Sequence, residues 1–379
     1  MYYSKELAIM QPPPPGREEA GAAQPLGNIT KLWSTFDDQL NRRVARYILQ
    51  SVITEILPNE RVAKCLRLVV PSASGVRLMY SPEVQRAHYK NLTVCGSIWN
   101  CPVCASKISE RRRLELRSVL EVWPGGLIMA SYTLQHSLDD TLSGLKNTLN
   151  DCYHKLMSGR QWQEIKNRWG IVGLISSNEL TWGPVSGWHP HKHALIFTKN
   201  KLTNDDLKSA ELEISARFRA LLTKNGRYGH PDYSVNFQVG NMYQQTDYVC
   251  KWGIDYELTK GNIKKARSGN YSPFELAQWA GVGGDLQPVR LFQEYASAYK
   301  GSHQLQYTQG LREILGMDKN KSDYDLATEE DQQALVLAEL ARDVWSIVCK
   351  QNKRGELLEI ASGGSADQVF DYLQSIGAI

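Results

Sequence analysis

His189, His191 and His193 occupy every second position of the run His189-Pro-His191-Lys-His193-Ala-Leu-Ile-Phe197. Side chains alternate along a strand, so His191 and His193 share a face about 7 Å apart along the backbone. Two imidazoles at that separation can converge on one divalent ion. His189 shares the face, but Pro190 beside it belongs at a strand start or edge. His191 and His193 are therefore the favoured pair. Glu179 lies on the preceding strand, across a loop rich in Gly and Pro, where antiparallel pairing would bring its carboxylate opposite. Two histidines and a carboxylate leave coordination positions open for a substrate oxygen, which a catalytic site requires. A lone strand histidine is usually a satisfied polar residue; three at spacing two, entering an apolar run, read as ligands.

A second constellation has different chemistry. Cys101-Pro-Val-Cys104 is a two-residue knuckle, with Cys95 six positions upstream and Cys65 thirty further back. Four thiolates close a tetrahedral Zn²⁺ site with no open position, so its role would be structural. His88 is the substitute ligand should one cysteine stand aside. Seven cysteines, four of them in the N-terminal third, fit a metal site in a reducing compartment better than a disulfide framework. Lys107, Arg111, Arg112, Arg113 and Arg117 follow on a basic helix. Contact with phosphates and a solvated face both remain open for it.

The elements that must hold these residues follow from periodicity and turn chemistry. Residues 1–28, with Pro12 to Pro15, read as a disordered leader. Residues 29–58 form an N-terminal helix, with Leu32, Phe36, Leu40, Val44, Ile48 and Val52 at helical spacing before Pro58. Residues 59–118 are the zinc-binding segment, with alternation over Leu66 to Val70 suggesting short strands. Between residues 119 and 290, strands at Leu127–Leu134, Ile171–Thr181, His193–Phe197 and Tyr233–Val239 alternate with helices at Leu142–Met157, Leu207–Leu222 and Met242–Asp255. This pattern predicts an α+β fold: a central antiparallel sheet with flanking helices. Residues 291–379 form a helical C-terminal region, where Thr328 and Asp331 resemble a capping box opening a helix to about Lys350, and Ala366–Ile376 is the last helix. A host helicase or a second protomer could dock on that region.

Composition sets limits. A 379-residue chain that is 42% hydrophobic and 22% charged is of the soluble globular class. A net charge of +4 is compatible with nucleic acid without demanding it. No run approaches the roughly 18 apolar residues of a membrane span, and Met1 to Gly27 lacks a signal pattern, so a cytoplasmic protein is expected. No GxxxxGK[ST] phosphate loop occurs.

Several ordered blocks resemble the rolling-circle replication initiators of small bacterial plasmids, within the HUH endonuclease superfamily. They are Cys95-Gly-Ser-Ile-Trp-Asn-Cys-Pro-Val-Cys104, Thr133-Leu134 with His136, Glu179-x-Thr through His193, Tyr248-Val-Cys-Lys251, Ser272-Pro-Phe-Glu-Leu276, and Glu294-Tyr-Ala-x-Ala-x-Lys-Gly301. The resemblance covers residues 60 to 315. It implies an HUH-like sheet, Mg²⁺ or Mn²⁺ on His191, His193 and Glu179, and Tyr248 as nucleophile on single-stranded or supercoiled origin DNA. Cleavage through a 5′-phosphotyrosine would leave a 3′-hydroxyl to prime a DNA polymerase, with Lys251 near the phenolate or the phosphate. Lys260, Lys264, Lys265 and Arg267 would either grip backbone phosphate or form a solvated loop.

Two positions depart from the family pattern. Lys192 replaces a hydrophobic residue between the histidines and should point to the other face of the sheet. Gln244 stands where some relatives carry a glutamate that activates water, and an amide cannot act as a base. The alternatives are a related transposase or relaxase, for which Tyr243 and Tyr248 are wrongly spaced as a tyrosine pair, or a non-catalytic zinc-containing nucleic-acid-binding protein.

Overall fold

The computed structural model describes residues 42–239 and 269–379. Tyr248, Lys251, Gln244, the basic stretch from Lys260 to Arg267, the leader and the helix expected at Met242–Asp255 lie outside the described residues. So does the first part of the N-terminal helix.

In chain order the elements are α1 (Arg42–Ile56), a 3₁₀ turn (Arg61–Lys64), β1 (Gly75–Ser81), β2 (Arg86–Lys90), α2 (Pro102–Val122), β3 (Gly126–Tyr132), α3 (Leu142–Leu156), α4 (Gly159–Arg168), β4 (Ile171–Gly183), β5 (Gly187–Thr198), α5 (Asn204–Lys224) and β6 (Val235–Val239). After residue 268 come α6 (Pro273–Val282), α7 (Gln287–Ala298), β7 (Leu305–Tyr307), α8 (Leu311–Ile314), α9 (Asp323–Thr328), β8 (Leu335–Ala341), α10 (Arg342–Lys350), α11 (Arg354–Ala361) and α12 (Ala366–Ser375). No described helix is long and apolar enough to cross a membrane.

Among the described residues, five strands form an antiparallel sheet in the order β6-β3-β5-β4-β7. Its two faces differ. On one, Ile128, Ala130, Tyr132, Leu174, Ala194 and Ile196 pack with Leu145, Leu149 and Leu156 of α3 and Ile214 and Phe218 of α5. On the other, Leu127, Met129, Ile175, Leu195 and Phe197 meet Leu116, Val119 and Leu120 of α2. Helix α2 covers only the lower part of that second face. The histidines stand above it, on continuations of the same alternating rows.

A smaller antiparallel sheet has the order β2-β1-β8. Val76, Leu78 and Leu340 from it pack with Trp345, Val348, Leu357, Leu358 and Val369 of α10, α11 and α12.

Three sequence expectations are corrected. Leu66 to Val70 is not a strand; only a bridge between Val69 and Leu92 forms there, and β1 and β2 follow later. The helix expected from Thr328 to Lys350 is instead the strand β8 running into α10, because Leu335–Ala341 pairs with β1. The capping box lies upstream, where Ser322 and Asp325 cap α9 reciprocally. Residues 291–379 therefore supply β7 and β8 as well as helices.

The basic helix is resolved too. Arg112 Nη2 meets Asp323 Oδ1 at 2.7 Å, Arg111 meets Glu329 at 3.2 Å, and Lys107 donates to the carbonyls of Ala327 and Glu329. These three side chains clamp the α9 segment. Arg112 is buried in that contact, whereas Lys107 and Arg111 keep an exposed side.

Candidate metal centres

The β4–β5 hairpin places Glu179 directly opposite His191, Ser177 opposite His193 and Thr181 opposite His189. His189, His191 and His193 are half-buried on one face, while Lys192 between them is fully buried on the other. There its Nζ donates to Asn178 Oδ1 at 2.9 Å and lies 5.0 Å from the Tyr153 ring centre. Burial, with a smaller push from Lys146, lowers the Lys192 ammonium to about 8. The lysine inside the histidine motif thus leaves the ligand face untouched.

Glu179, His191 and His193 each offer one ligand atom, and the three atoms lie within 4.8 Å of one another, so the group could hold a metal ion. His193 Nε2 is 2.7 Å from Glu179 Oε2, and its Nδ1 is 2.9 Å from Ser131 Oγ on β3. With Nδ1–H donating to Ser131, the Nε2 lone pair is free for a cation beside the carboxylate. The donor set fits such an ion on a second ground: His191 Nδ1 is buried and has no hydrogen-bond partner. Burial, helped by neighbouring imidazoles, lowers His191 to about 3 and His189 to about 4. Both rings are therefore neutral at pH 7, the form that ligates metals.

His189 and His136 extend the row. His189 Nε2 is 3.0 Å from Thr133 Oγ1, its ring packs 3.8 Å from that of His191, and His136 packs 4.3 Å from His189 on the far side. Neither belongs to the three-ligand group. Thr133 comes from one of the quoted blocks, whereas Ser131 and Ser177 are the site residues that sequence reasoning missed. Ser177 Oγ is buried without a partner directly across from His193. A serine in the apolar run Gly126-Leu-Ile-Met-Ala-Ser-Tyr132 gains meaning only once β3 is paired with β5.

The cysteines form the second centre. Cys65 follows the 3₁₀ turn, Cys95 sits in the loop after β2, and Cys101 is the N-cap of α2, with Pro102 at the first helical position. The Sγ–Sγ separations are 3.6 Å for Cys65–Cys104, 3.6 Å for Cys95–Cys104 and 3.9 Å for Cys65–Cys101. A tetrahedron with metal–sulfur bonds of about 2.3 Å has edges of about 3.8 Å. A disulfide would need about 2.05 Å, so these are free thiols at ligand spacing.

Backbone N–H groups of Cys95, Ser97 and Cys104 point at the sulfurs of Cys65, Cys95 and Cys101, as thiolates require. Burial would raise the Cys101 thiol, but hydrogen bonds from the other three cysteines outweigh it and hold it well below the usual range. Hydrogen bonds to Cys101 in turn push Cys65 and Cys104 up. A divalent ion would let all four sulfurs ionise. His88, on β2, is not in the cluster. Gly96 sets the turn behind Cys95: its φ is +61°, and a Cβ there would lie 2.9 Å from Tyr324 Cα.

Two of the other quoted blocks are architectural. Ser272 and Glu275 form a reciprocal cap at the start of α6. Glu294 accepts from Leu142 N and Trp188 Nε1, tying α3 to the tip of β5.

The chain is similar to the protein "Protein rep" of Streptomyces lividans, with 24% identity over 347 aligned residues covering 72% of this chain and 76% of that relative. A second similarity, to "Neomycin resistance protein" of Streptomyces cyanogenus, is 30% identity over 132 residues. It covers 28% of this chain and 30% of that relative. No protein-family model matches the chain, and no solved structure gives a significant match.

Proposed function

We propose that this chain is a plasmid replication protein that begins synthesis by cutting one strand of origin DNA through Tyr248. The observation that carries this reading is the convergence of Glu179, His191 and His193 on one sheet face, with coordination positions left for a phosphate oxygen. The similarity to a Rep protein over 72% of the chain supports it.

The positions that flank residues 240–268 support the reading. The described residues before this segment end at Val239, whose partner Ile128 is three residues below Ser131 on β3. Beyond it, Tyr271 pairs with Trp182, three residues beyond Glu179. Tyr248 is nine residues past Val239, which sets an upper reach of about 30 Å.

Glu179, His191 and His193 would hold Mg²⁺ or Mn²⁺, which when bound polarises a phosphoryl oxygen and stabilises the charge developing on it. Ser131 keeps His193 in the tautomer that presents Nε2 inward. Tyr248 Oη bonds to phosphorus as the O3′–P bond breaks; the phenolic proton passes to solvent, and the departing O3′ ends as a hydroxyl. A phenol with a pKa near 10 needs help to ionise, and Lys251 supplies a cation three residues away. The phosphotyrosine keeps the bond energy of the diester, so rejoining needs no ATP. Zinc on Cys65, Cys95, Cys101 and Cys104 would be structural.

The test compares wild type with Tyr248→Phe on single-stranded and supercoiled origin DNA. A metal-dependent covalent protein–DNA adduct in wild type, absent from the variant, is expected. Normal nicking by Tyr248→Phe would overturn the nucleophile, and nicking that persists in excess chelator would overturn the metal role.

A further inference from the structure

Arg354 opens α11 and is fully buried. Its Nη1 donates to Gln50 Oε1 at 2.7 Å and to the Leu66 carbonyl at 3.0 Å, and its Nη2 donates to Ser51 Oγ at 3.3 Å. The guanidinium also lies 5.2 Å from the Tyr47 ring centre. Arg67 Nη2 donates to the same Ser51 Oγ at 2.7 Å. Two guanidiniums therefore meet at one hydroxyl inside the protein.

Among the described residues neither arginine forms an ion pair with a carboxylate, and Nε of each is buried without a partner. Glu55 acts on Arg67 only from beyond ion-pair distance. The other acidic groups around Arg354 are not anions at neutral pH: burial raises Tyr47, Tyr89 and Cys349. Arg354 is a fully buried charge with the half-buried Arg67 beside it, an arrangement that is strongly unfavourable unless an anion stands close by.

Gln50 shows which anion it is. Its Oε1 takes the Arg354 hydrogen bond, and its Nε2 donates to Cys101 Sγ at 3.2 Å. Leu66, whose carbonyl takes the second Arg354 bond, directly follows Cys65. Four thiolates around one divalent ion carry a net charge of 2−, whereas four thiols carry none.

We propose that Arg354 and Arg67 are the built-in counter-charge of a divalent metal–tetrathiolate centre, with Arg354 acting through Gln50 as a positioning residue for Cys101. The proposal rests on reading the cysteine cluster as a metal site. It ties the C-terminal module to that site, because Arg354 belongs to α11 and the Tyr89 hydroxyl on β2 donates to its carbonyl. Metal occupancy and the packing of α10 to α12 are then linked.

The experiment uses the full chain, metal-stripped and titrated with Co²⁺ under reducing conditions. In wild type the cobalt–thiolate charge-transfer bands saturate at one ion per chain, with intensity appropriate to four thiolates. Competition against a chromophoric chelator then gives affinity. Arg354→Met is expected to weaken affinity about 10- to 100-fold, as loss of an outer-shell partner does, with Arg354→Lys recovering part of it. Gln50→Leu cuts the relay from the α1 side, leaves Arg354 its bonds to the Leu66 carbonyl and Ser51 Oγ, and is expected to weaken affinity in the same direction. Hydrogen exchange at α10 to α12 is expected to speed up in the metal-stripped wild type, while β4 and β5 stay protected.

Wild-type affinity in both Arg354→Met and Gln50→Leu would overturn the counter-charge assignment. Unchanged exchange at α10 to α12 after stripping would overturn the link to the C-terminal module. Failure of wild type itself to bind cobalt would overturn the cysteine reading instead, so the failures are distinguishable.

Discussion

Glu179 and His193 share a 2.7 Å contact between diagonal positions of the β4–β5 ladder, not between opposite ones. Opposite Glu179 stands His191, so one carboxylate reaches both imidazoles, and the three ligands form an open triangle. Glu179→Gln keeps the size and hydrogen-bonding capacity of the side chain but removes the charge that draws a divalent ion. The metal concentration for half-maximal cleavage should rise at least about tenfold, with the melting temperature of the metal-free protein nearly unchanged. Mn²⁺ titration with a cleavage readout decides it; an unshifted midpoint would remove Glu179 from the ligand set.

Ser131 has no chemistry of its own, yet its hydroxyl is placed to accept from His193 Nδ1–H, the tautomer that a metal on Nε2 requires. Ser131→Ala should lower divalent-metal affinity about 10- to 100-fold while leaving the sheet intact, because the change removes one oxygen and adds no volume. Calorimetric titration with Mn²⁺ measures it, and Ser131→Thr, which retains the hydroxyl, should recover most of the affinity. Equal affinity in the alanine variant would mean that the His193 tautomer is set by something else.

The histidine row, Glu179 and the cysteine knuckle are local patterns, and their spacing alone marked the residues that converge at each centre. What escaped notice was set by distant pairing. Leu335-Val-Leu-Ala-Glu-Leu-Ala341 is rich in helix formers, yet it forms β8 because β1, some 260 positions earlier, offers it an open edge. The role of α2 was hidden for a similar reason. A run of arginines looks the same whether its partners are phosphates or the carboxylates of a segment two hundred residues downstream, and only the packed chain distinguishes them. Ser131 was silent because its meaning lies in its register with His193.

Arg112 allows that distinction to be measured. It is 5% exposed and bound to Asp323 at 2.7 Å. Arg112→Ala should therefore destabilise the protein by roughly 3 kcal/mol by leaving the carboxylate without its partner. In a double-mutant cycle with Asp323→Ala, the second change should cost much less than the first. The salt dependence of single-strand DNA binding should not move. A slope reduced by about 0.7, the contribution of one phosphate contact on a single strand, would return Arg112 to the DNA interface.

Lys192 gives a signature in pH. Its ammonium is lowered to about 8 by burial first and by Lys146 second, whereas in the unfolded chain it titrates near 10.4. Between these values the unfolded state holds the proton and the native state has lost it, so stability contributed by this group rises with pH across that window. Below pH 8 both states are protonated, and the cost of burying the charge is present in full, on the order of 3 kcal/mol. Lys192→Met keeps the volume, removes the charge and leaves only Asn178 Oδ1 without its donor. Urea melts from pH 7 to 10.5 should show the variant lacking the rise seen in wild type. Its metal affinity should be unchanged, because the side chain lies on the sheet face away from the histidines. An equal rise in both proteins would place the titrating group elsewhere, and a loss of metal binding would mean that the two faces are coupled through the β5 backbone.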